Sequence, residues 1–297
     1  MVSPGILLVD KPAGLTSHDV VARTRRALGT RKVGHAGTLD PMATGLLVVG
    51  VEGATRLLTY IVGADKTYEA TIRLGQTTGT DDADGEILTR APEEAWSAVT
   101  PERVAAGVAE LTGEISQVPS SVSAIKVDGR RAYDRVRAGE EVVLAAREVT
   151  VSRFEILAER SGEGFLDLDV VVDCSSGTYI RSLARDLGAG LGVGGHLTAL
   201  RRTRVGDFDV ADALMIEDIV ETALLTPAAA AARVLAPLPV SIADARDLRH
   251  GKRLTDQASR LSGALAAAID EDGVLVGVVE RRGRHLKSVM NMPEVAR

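Results

Sequence analysis

Apolar positions along the chain change their period from segment to segment, and each change marks a predicted element. Val20, Val21, Thr24, Ala27 and Leu28 recur at helical spacing behind Ser17 and ahead of Gly29. This predicts a helix of about ten residues, N-capped by Ser17, with Arg23 and Arg26 on its polar face. The run Leu46-Leu47-Val48-Val49-Gly50-Val51 is apolar on both alternations and reads as a buried strand. Residues 67–74 alternate as a strand, and 77–85 form a polar loop. Thr100-Pro101 opens a second helix that buries Val104, Val108 and Leu111 and stops at Gly113. Residues 165–174 are β-like and run into a helix whose Ile180, Leu183, Ala184 and Leu187 share one face, so Arg181 falls in a first turn directly after a strand. An alanine-rich helix over 228–235 leads to Pro237-Leu238-Pro239, where two prolines bracket a predicted boundary between domains 1–236 and 237–297. Beyond it come a short helix near 243–248, a turn at Arg249-His250-Gly251-Lys252, and strands at 263–269 and 274–280 around Asp270-Glu271-Asp272-Gly273. There is no internal repeat.

At 297 residues and 45% apolar content, the chain suits one large and one small domain. The only cysteine, Cys174, cannot form an internal disulfide, which favours a reducing compartment. No histidine lies near it in sequence, so it reads as a small core residue and not as a thiol nucleophile. The run Gly5-Ile6-Leu7-Leu8-Val9 is too short for a secretory signal, and no apolar stretch approaches the ~20 residues of a membrane span. The expected location is cytoplasmic.

The net charge of −6 speaks against a polyanionic partner only if it is evenly spread, and it is not. Arg23, Arg25, Arg26, Arg31 and Lys32 form one basic cluster, Arg201, Arg202 and Arg204 a second, and Arg281, Arg282, Arg284 and Lys287 a third. Asp81-Asp82-Ala83-Asp84 and Glu93-Glu94 gather acidic charge elsewhere. Screening confines each charge to roughly 10 Å, so a locally basic track on an acidic protein can hold nucleic acid.

Three motifs are set aside. Gly190-Leu191-Gly192-Val193-Gly194-Gly195 fits a dinucleotide fingerprint but follows a helix where that fingerprint needs a strand. Residues 80–91 resemble a calcium loop, yet Thr80 stands at the first ligand position and Ala91 where a bidentate glutamate belongs, leaving a solvated acidic loop. The five histidines show no metal-ligand spacing, so no metal is implied.

The chemistry concentrates in residues 34–47, where Asp40 is the one carboxylate among glycines, small residues and a proline. Glycines at 34, 37 and 45 permit unusual backbone angles or close approach, and Pro41 drives Asp40 into an extended conformation that projects its carboxylate from the turn. By itself this motif reads equally as an Asp-Pro hairpin turn.

Four segments in order decide between these readings: Lys11-Pro12-Ala13-Gly14-Leu15-Thr16-Ser17, the Asp40 loop, Lys66-Thr67-Tyr68-Glu69, and Cys174-Ser175-Ser176-Gly177-Thr178-Tyr179-Ile180-Arg181. Together they resemble the bacterial tRNA pseudouridine-55 synthases of the TruB family, over about residues 5–210. One departure is visible, Ser176, where the family usually carries lysine; it affects a phosphate contact and not the chemistry. The resemblance implies an α+β pseudouridine synthase fold, with a central mixed, largely antiparallel sheet flanked by helices. Residues 237–297 resemble a shortened PUA module, a small RNA-binding β-barrel.

The resemblance further implies an isomerase that breaks a C–N glycosidic bond of one T-loop uridine and rejoins the uracil through carbon. No cofactor or external reagent is required, and one carboxylate suffices where a glycoside hydrolase usually needs two. It assigns Asp40 as the catalytic nucleophile, with attack on the ribose, attack on the ring and abstraction of a ribose proton all left open. Arg181 becomes the cation that keeps Asp40 ionised, its other reading being a helix-start arginine paired with Asp186 or a phosphate. Tyr68 becomes the platform under the extruded uracil, and His35 fills the space the base leaves. Tyr179 and Leu200 wall the uracil pocket, Lys11 supports the loop or touches phosphate, and residues 123–133 match a further signature that is structural and RNA-facing. The expected partner is the tRNA T arm, bound by a monomer with no obligatory protein partner. Two other readings stand beside this one: a guide-RNA-dependent relative, and an RNA-folding chaperone for which modification is secondary.

Overall fold

The computed structural model describes residues 2–120, 126–127, 130–131 and 144–293. They pack as two compact units that do not follow chain order: Met1–Pro41, Gly45–Ala64 and Arg204–Arg297 in the first, Met42–Thr44 and Asp65–Thr203 in the second.

In the first unit, β1 (Gly5–Lys11) and β3 (Thr44–Val51) are antiparallel, from Gly5 opposite Val51 to Lys11 opposite Gly45. β2 (Val33–Ala36) also pairs antiparallel with β3, while β14 (Leu214–Met215) joins β1 in parallel, which makes the sheet mixed. The continuous apolar runs follow from burial on both faces. Leu7, Val9, Leu47 and Val49 point into one core with Val20, Val21 and Leu28 of α1 (Ser17–Leu28). Ile6, Leu8, Leu46 and Val48 point into another, with Phe208 of β13 (Phe208–Asp209), Ala230 of α5 (Pro227–Ala232), Ala267 and Leu275. Across this second core the C-terminal segment joins the N-terminal one. On the same unit, Leu58 of α2 (Leu58–Val62) lies so near Gly34 that an added Cβ would come within 3.2 Å of it.

The cap of α1 falls one residue before the expected Ser17. Thr16 accepts from Asp19 N–H while the Asp19 carboxylate accepts from Thr16 N–H, a capping box that only Thr16 can complete because the acid stands three residues on. Gly29 ends the helix with φ 64°.

The small C-terminal sheet has the order β15 (Ala236–Pro239), β16 (Leu265–Ile269), β17 (Leu275–Arg282), β18 (His285–Asn291). With α6 (Ile242–Arg249) it encloses a core of its own around Leu238, Leu248, Val276 and Leu286. The two prolines expected to bracket the domain boundary are part of β15 itself. That strand lies at the sheet's edge, where a missing N–H is tolerated.

In the second unit the strand order is β12 (Gly195–Val205), β4 (Lys66–Leu74), β11 (Phe165–Cys174), β10 (Arg147–Gly162), β7 (Gly113–Gln117). Along β4, Tyr68, Ala70, Ile72 and Leu74 are buried while Glu69 is exposed, the alternation of a half-covered sheet. α3 (Pro101–Glu110) and α4 (Ile180–Leu191) meet where Gly107 leaves room for Leu187, whose Cδ1 would lie 2.7 Å from an added Cβ. A short hairpin of β5 (Gln76–Thr78) and β6 (Ile87–Arg90) flanks the acidic turn. β8 (Lys126–Val127) pairs with β9 (Arg130–Arg131); the rest of the signature at 123–133 lies outside the described residues.

Candidate active site

The Asp40 turn is held from both sides within the first unit. On one side Ser17 Oγ accepts from Leu39 N–H at 2.9 Å and donates to Leu39 O at 3.2 Å, pinning the preceding residue to α1. On the other, Pro41 O accepts from Gly14 N–H at 2.8 Å and from Lys11 Nζ at 3.2 Å. Lys11 is fully buried, and its ammonium also donates to Leu15 O at 2.7 Å and Pro12 O at 3.0 Å. These bonds tie the turn to β1, in the manner of the loop support that was one of its two expected roles. Gly37 and Gly45, at φ 79° and 100°, make the sharp turns at either end, while Gly34 has an ordinary φ and is packed closely against Leu58. Asp40, half-buried, therefore sits on a turn whose two flanking residues are tied down.

His35 stands on β2, not in a loop, and its ring meets His18 of α1 edge-on, centroids 5.6 Å apart at 82°.

The other expected site residues belong to the second unit. Tyr68 is on β4 with 8% exposure, and Leu200 on β12 is equally buried. Leu200 also lines a cavity of about 550 Å³ with Met42, Thr44, Glu69 and Arg201. Tyr179 is the N-cap residue of α4 and Arg181 sits in the first turn, as the periodicity predicts. Asp186 is not its partner, because Asp186 accepts from Arg185 Nε at 2.8 Å.

What holds Arg181 is Asp82, which the sequence pattern assigned to a solvated loop. The two groups are 3.3 Å apart, each side chain 5% exposed, and Arg181 Nη1 also donates to Thr80 O at 2.8 Å. The turn that turns Asp82 inward is specific. Asp81 adopts φ 59°, Asp84 N–H donates to Asp82 Oδ1 at 3.1 Å, Thr80 Oγ donates to the same carboxylate, and Thr78 Oγ donates to Asp82 O at 2.8 Å. Arg185 pairs with Asp81 at 3.6 Å from one helical turn further along α4. A buried ion pair of this kind fixes geometry more than it adds stability. The signal available beforehand was Asp82 in a Thr-rich turn, and nothing local distinguishes it from its exposed neighbour Asp84.

Elsewhere in the second unit, burial is the largest influence on three titrations. It pushes the Lys66 ammonium down to about 8 and the Cys174 thiol up to about 11. Lys66 and Cys174 face each other in the β4–β11 register. A thiol so protonated is no nucleophile, in keeping with its core position. Burial likewise lowers His196, whose Nδ1 lies 3.1 Å from Gln76 O. The glycine run at 190–195 closes α4 onto β12: Gly192 caps the helix at φ 78°, and Val193 and Gly194 N–H donate to Gly188 O. Among the described residues, no three His, Cys, Asp or Glu side chains converge as metal ligands, and no helix is long and apolar enough to cross a membrane.

Residues 25–180 match the TruB family pseudouridylate synthase N-terminal domain. The chain belongs to the TruB family. Residues 181–241 match the tRNA pseudouridylate synthase B C-terminal domain, and residues 235–293 the C-terminal domain of tRNA pseudouridine synthase II. Its relatives include tRNA pseudouridine synthase B of Leifsonia xyli subsp. xyli, 60% identical across 99% of this chain and 98% of that protein. The protein of the same name from Rhodococcus jostii is 55% identical across 98% and 94%. Among solved structures, a chain of a Cbf5-Nop10-Gar1 complex superposes with a TM-score of 0.70 at 25% identity, covering 98% of this chain and 84% of that one. The TruB fold, with its large mixed sheet and small C-terminal sheet, is thus established for this chain. Its Ser176 is exposed in the turn before α4, in the position where the family resemblance led us to expect lysine.

Proposed function

We propose that this TruB-family chain isomerises the uridine at position 55 in the T loop of tRNA to pseudouridine, acting in the cytoplasm as a monomer without cofactor, guide RNA or obligatory protein partner. The observation that carries the reading is the Asp40 turn, one carboxylate with both neighbours tied to α1 and β1. The names carried by full-length relatives support the same substrate.

In this reading Asp40 is the group that starts the reaction, as nucleophile or as base. Arg181 is the cation that favours its ionised form, and Tyr68 the aromatic surface beneath the extruded uracil. Extrusion costs a few kcal/mol. Stacking on an aromatic returns roughly 1–3 kcal/mol, so one tyrosine offsets much of that cost. His35 fills the vacated space, and Tyr179 and Leu200 wall the pocket. A reaction that only rearranges its substrate needs rigidity and one acid/base or nucleophilic group, which suits a turn fixed at both ends.

The test is incubation of the purified chain with unmodified tRNA transcript, followed by chemical mapping of pseudouridine. One modified site, at position 55, is expected without any added RNA. Modification only after addition of guide RNA and partner proteins, or at a different position, would overturn the proposal.

A further inference from the structure

The geometry points to Gln117, the last residue of β7, as a positioning residue that sets the start of α4 and with it the aim of Arg181. The inference rests on the reading of Arg181 as a site residue and adds the group that holds it in place. Gln117 is 2% exposed, and its amide closes a two-bond clasp on one distant residue: Nε2 donates to Tyr179 O at 3.1 Å, and Tyr179 N–H donates to Oε1 at 2.8 Å.

Tyr179 is the N-cap of α4, and its side chain supplies no capping bond. A helix start normally relies on a local Ser, Thr, Asp or Asn to hold it. Here Gln117 fixes both peptide planes that flank the cap residue from another element. Tyr179 O is at the same time the acceptor for Ser182 and Leu183 N–H, so the clasp and the first helical turn share one carbonyl. Arg181 is two residues further on. The segment after Gln117 repeats the attachment: Val118 O accepts from Arg185 Nη2 at 2.7 Å, and Ser120 Oγ lies 3.5 Å from Arg181 Nη1. Gln117, Val118 and Ser120 thus touch α4 at 179, 185 and 181, along the edge that also meets Asp81 and Asp82. Gln117 is enclosed and both ends of its amide are engaged, so its effect on the reaction runs through Arg181 and not through RNA.

The full chain with Gln117→Met, similar in length and without amide hydrogen bonds, is compared with the parent for single-turnover rate on saturating unmodified tRNA and for tRNA affinity. A displacement of about 1 Å at a reacting group is worth on the order of 100-fold in rate. The expected result is therefore a rate lowered about 10- to 100-fold with Kd within about threefold. In an Arg181→Lys background, the same substitution should cost less than about twofold, since residues acting through one another are not additive. A parent-like rate for Gln117→Met overturns the inference, as does an undiminished penalty in the Arg181→Lys background, which would mean that Gln117 acts on the fold at large. If Arg181→Lys alone turns over like the parent, it is the role of Arg181 that fails. Circular dichroism melting verifies folding. Should Gln117→Met not fold, Gln117→Glu, which keeps the acceptor for Tyr179 N–H and loses the donor to Tyr179 O, carries the same comparison with the same deciding outcomes.

Discussion

Two acidic turns, residues 37–44 and 78–85, use the same materials to opposite ends. Both set a carboxylate among small residues and sharp backbone angles. At the first, hydrogen bonds go to the neighbours of Asp40, namely Leu39 and Pro41, and the carboxylate stays half-buried on a fixed turn. At the second, hydrogen bonds go to the carboxylate itself, from Asp84 N–H and Thr80 Oγ, and Asp82 is buried against Arg181. The first arrangement fixes the backbone on both sides of its acid, and the second ties the acid to a buried cation.

The contrast predicts very different costs for the same Asp→Asn change. At Asp40 turnover should fall by on the order of 10³ or more, at least ~4 kcal/mol of barrier. tRNA affinity, measured by filter binding, should change less than about tenfold, ~1.4 kcal/mol. Melting should stay near the parent, because Asp40→Asn leaves the bonds to Leu39 and Pro41 in place.

At Asp82 the damage should register first in stability. Removing one member of a buried pair strands the other charge, at a cost of about 3–5 kcal/mol in denaturant unfolding. Asp82→Asn combined with Arg181→Met should regain part of that loss, and Asp84→Asn, on the exposed side of the turn, should stay within about 0.5 kcal/mol. Equal stability costs for Asp82→Asn and Asp84→Asn would break the comparison.

A smaller effect sharpens what burial alone does, at Lys66 and Cys174. The folded lysine, at about 8 against an ordinary 10.5, binds fewer protons than the unfolded one between those values. Its penalty is therefore full below pH 8 and relieved as pH rises. The folded thiol, at about 11 against 9.0, binds more protons than the unfolded one, so its contribution is full below pH 9 and lost by pH 11. The two oppose each other in alkali. Cys174→Ala removes the falling limb, so between pH 8 and 11 the variant should gain on the parent by on the order of 2 kcal/mol. Parallel stability curves would contradict the buried-thiol assignment.

The weakest effect is expected at the C-terminal basic run, where the same distinction between engaged and presented groups applies. Arg281 donates to Leu261 O, whereas the Arg282 and Arg284 side chains are 62% and 78% exposed beside Glu280 and Asp256. Neutralising all three should weaken tRNA binding a few-fold and flatten the log–log salt slope by at most about 1.8, two phosphates' worth. Turnover on saturating tRNA should not change. An unaltered slope and affinity would make the small sheet a stabilising appendage.

What was legible in the sequence was what neighbouring residues determine. Periodicity placed α1, α3, α4, β3 and β4, and the Asp40 turn carried its own signature in Gly37, Pro41 and Gly45. The start of α1 was misplaced by one residue because Thr16 and Ser17 are both capping residues and only Asp19 breaks the tie. β18 went unread because His285–Asn291 carries mixed polarity, half-covered on one sheet edge. Asp82 and Gln117 stayed hidden for another reason. Their partners, Arg181 and Tyr179, lie 99 and 62 residues away, and no local pattern encodes such a pairing. The three carbonyls that accept from Lys11, one of them 30 residues away at Pro41, were likewise invisible in its motif.

The most direct test of the central claim, that the one reactive carboxylate on the pinned turn drives isomerisation of a T-loop uridine, is site-resolved mass spectrometry of unmodified tRNA incubated with parent chain or with Asp40→Asn at matched, saturating occupancy. The account predicts pseudouridine at position 55 alone with the parent, and none with the variant although it binds the same RNA. Substantial pseudouridine formed by Asp40→Asn would contradict it, as would a parent that binds and refolds tRNA but leaves position 55 as uridine.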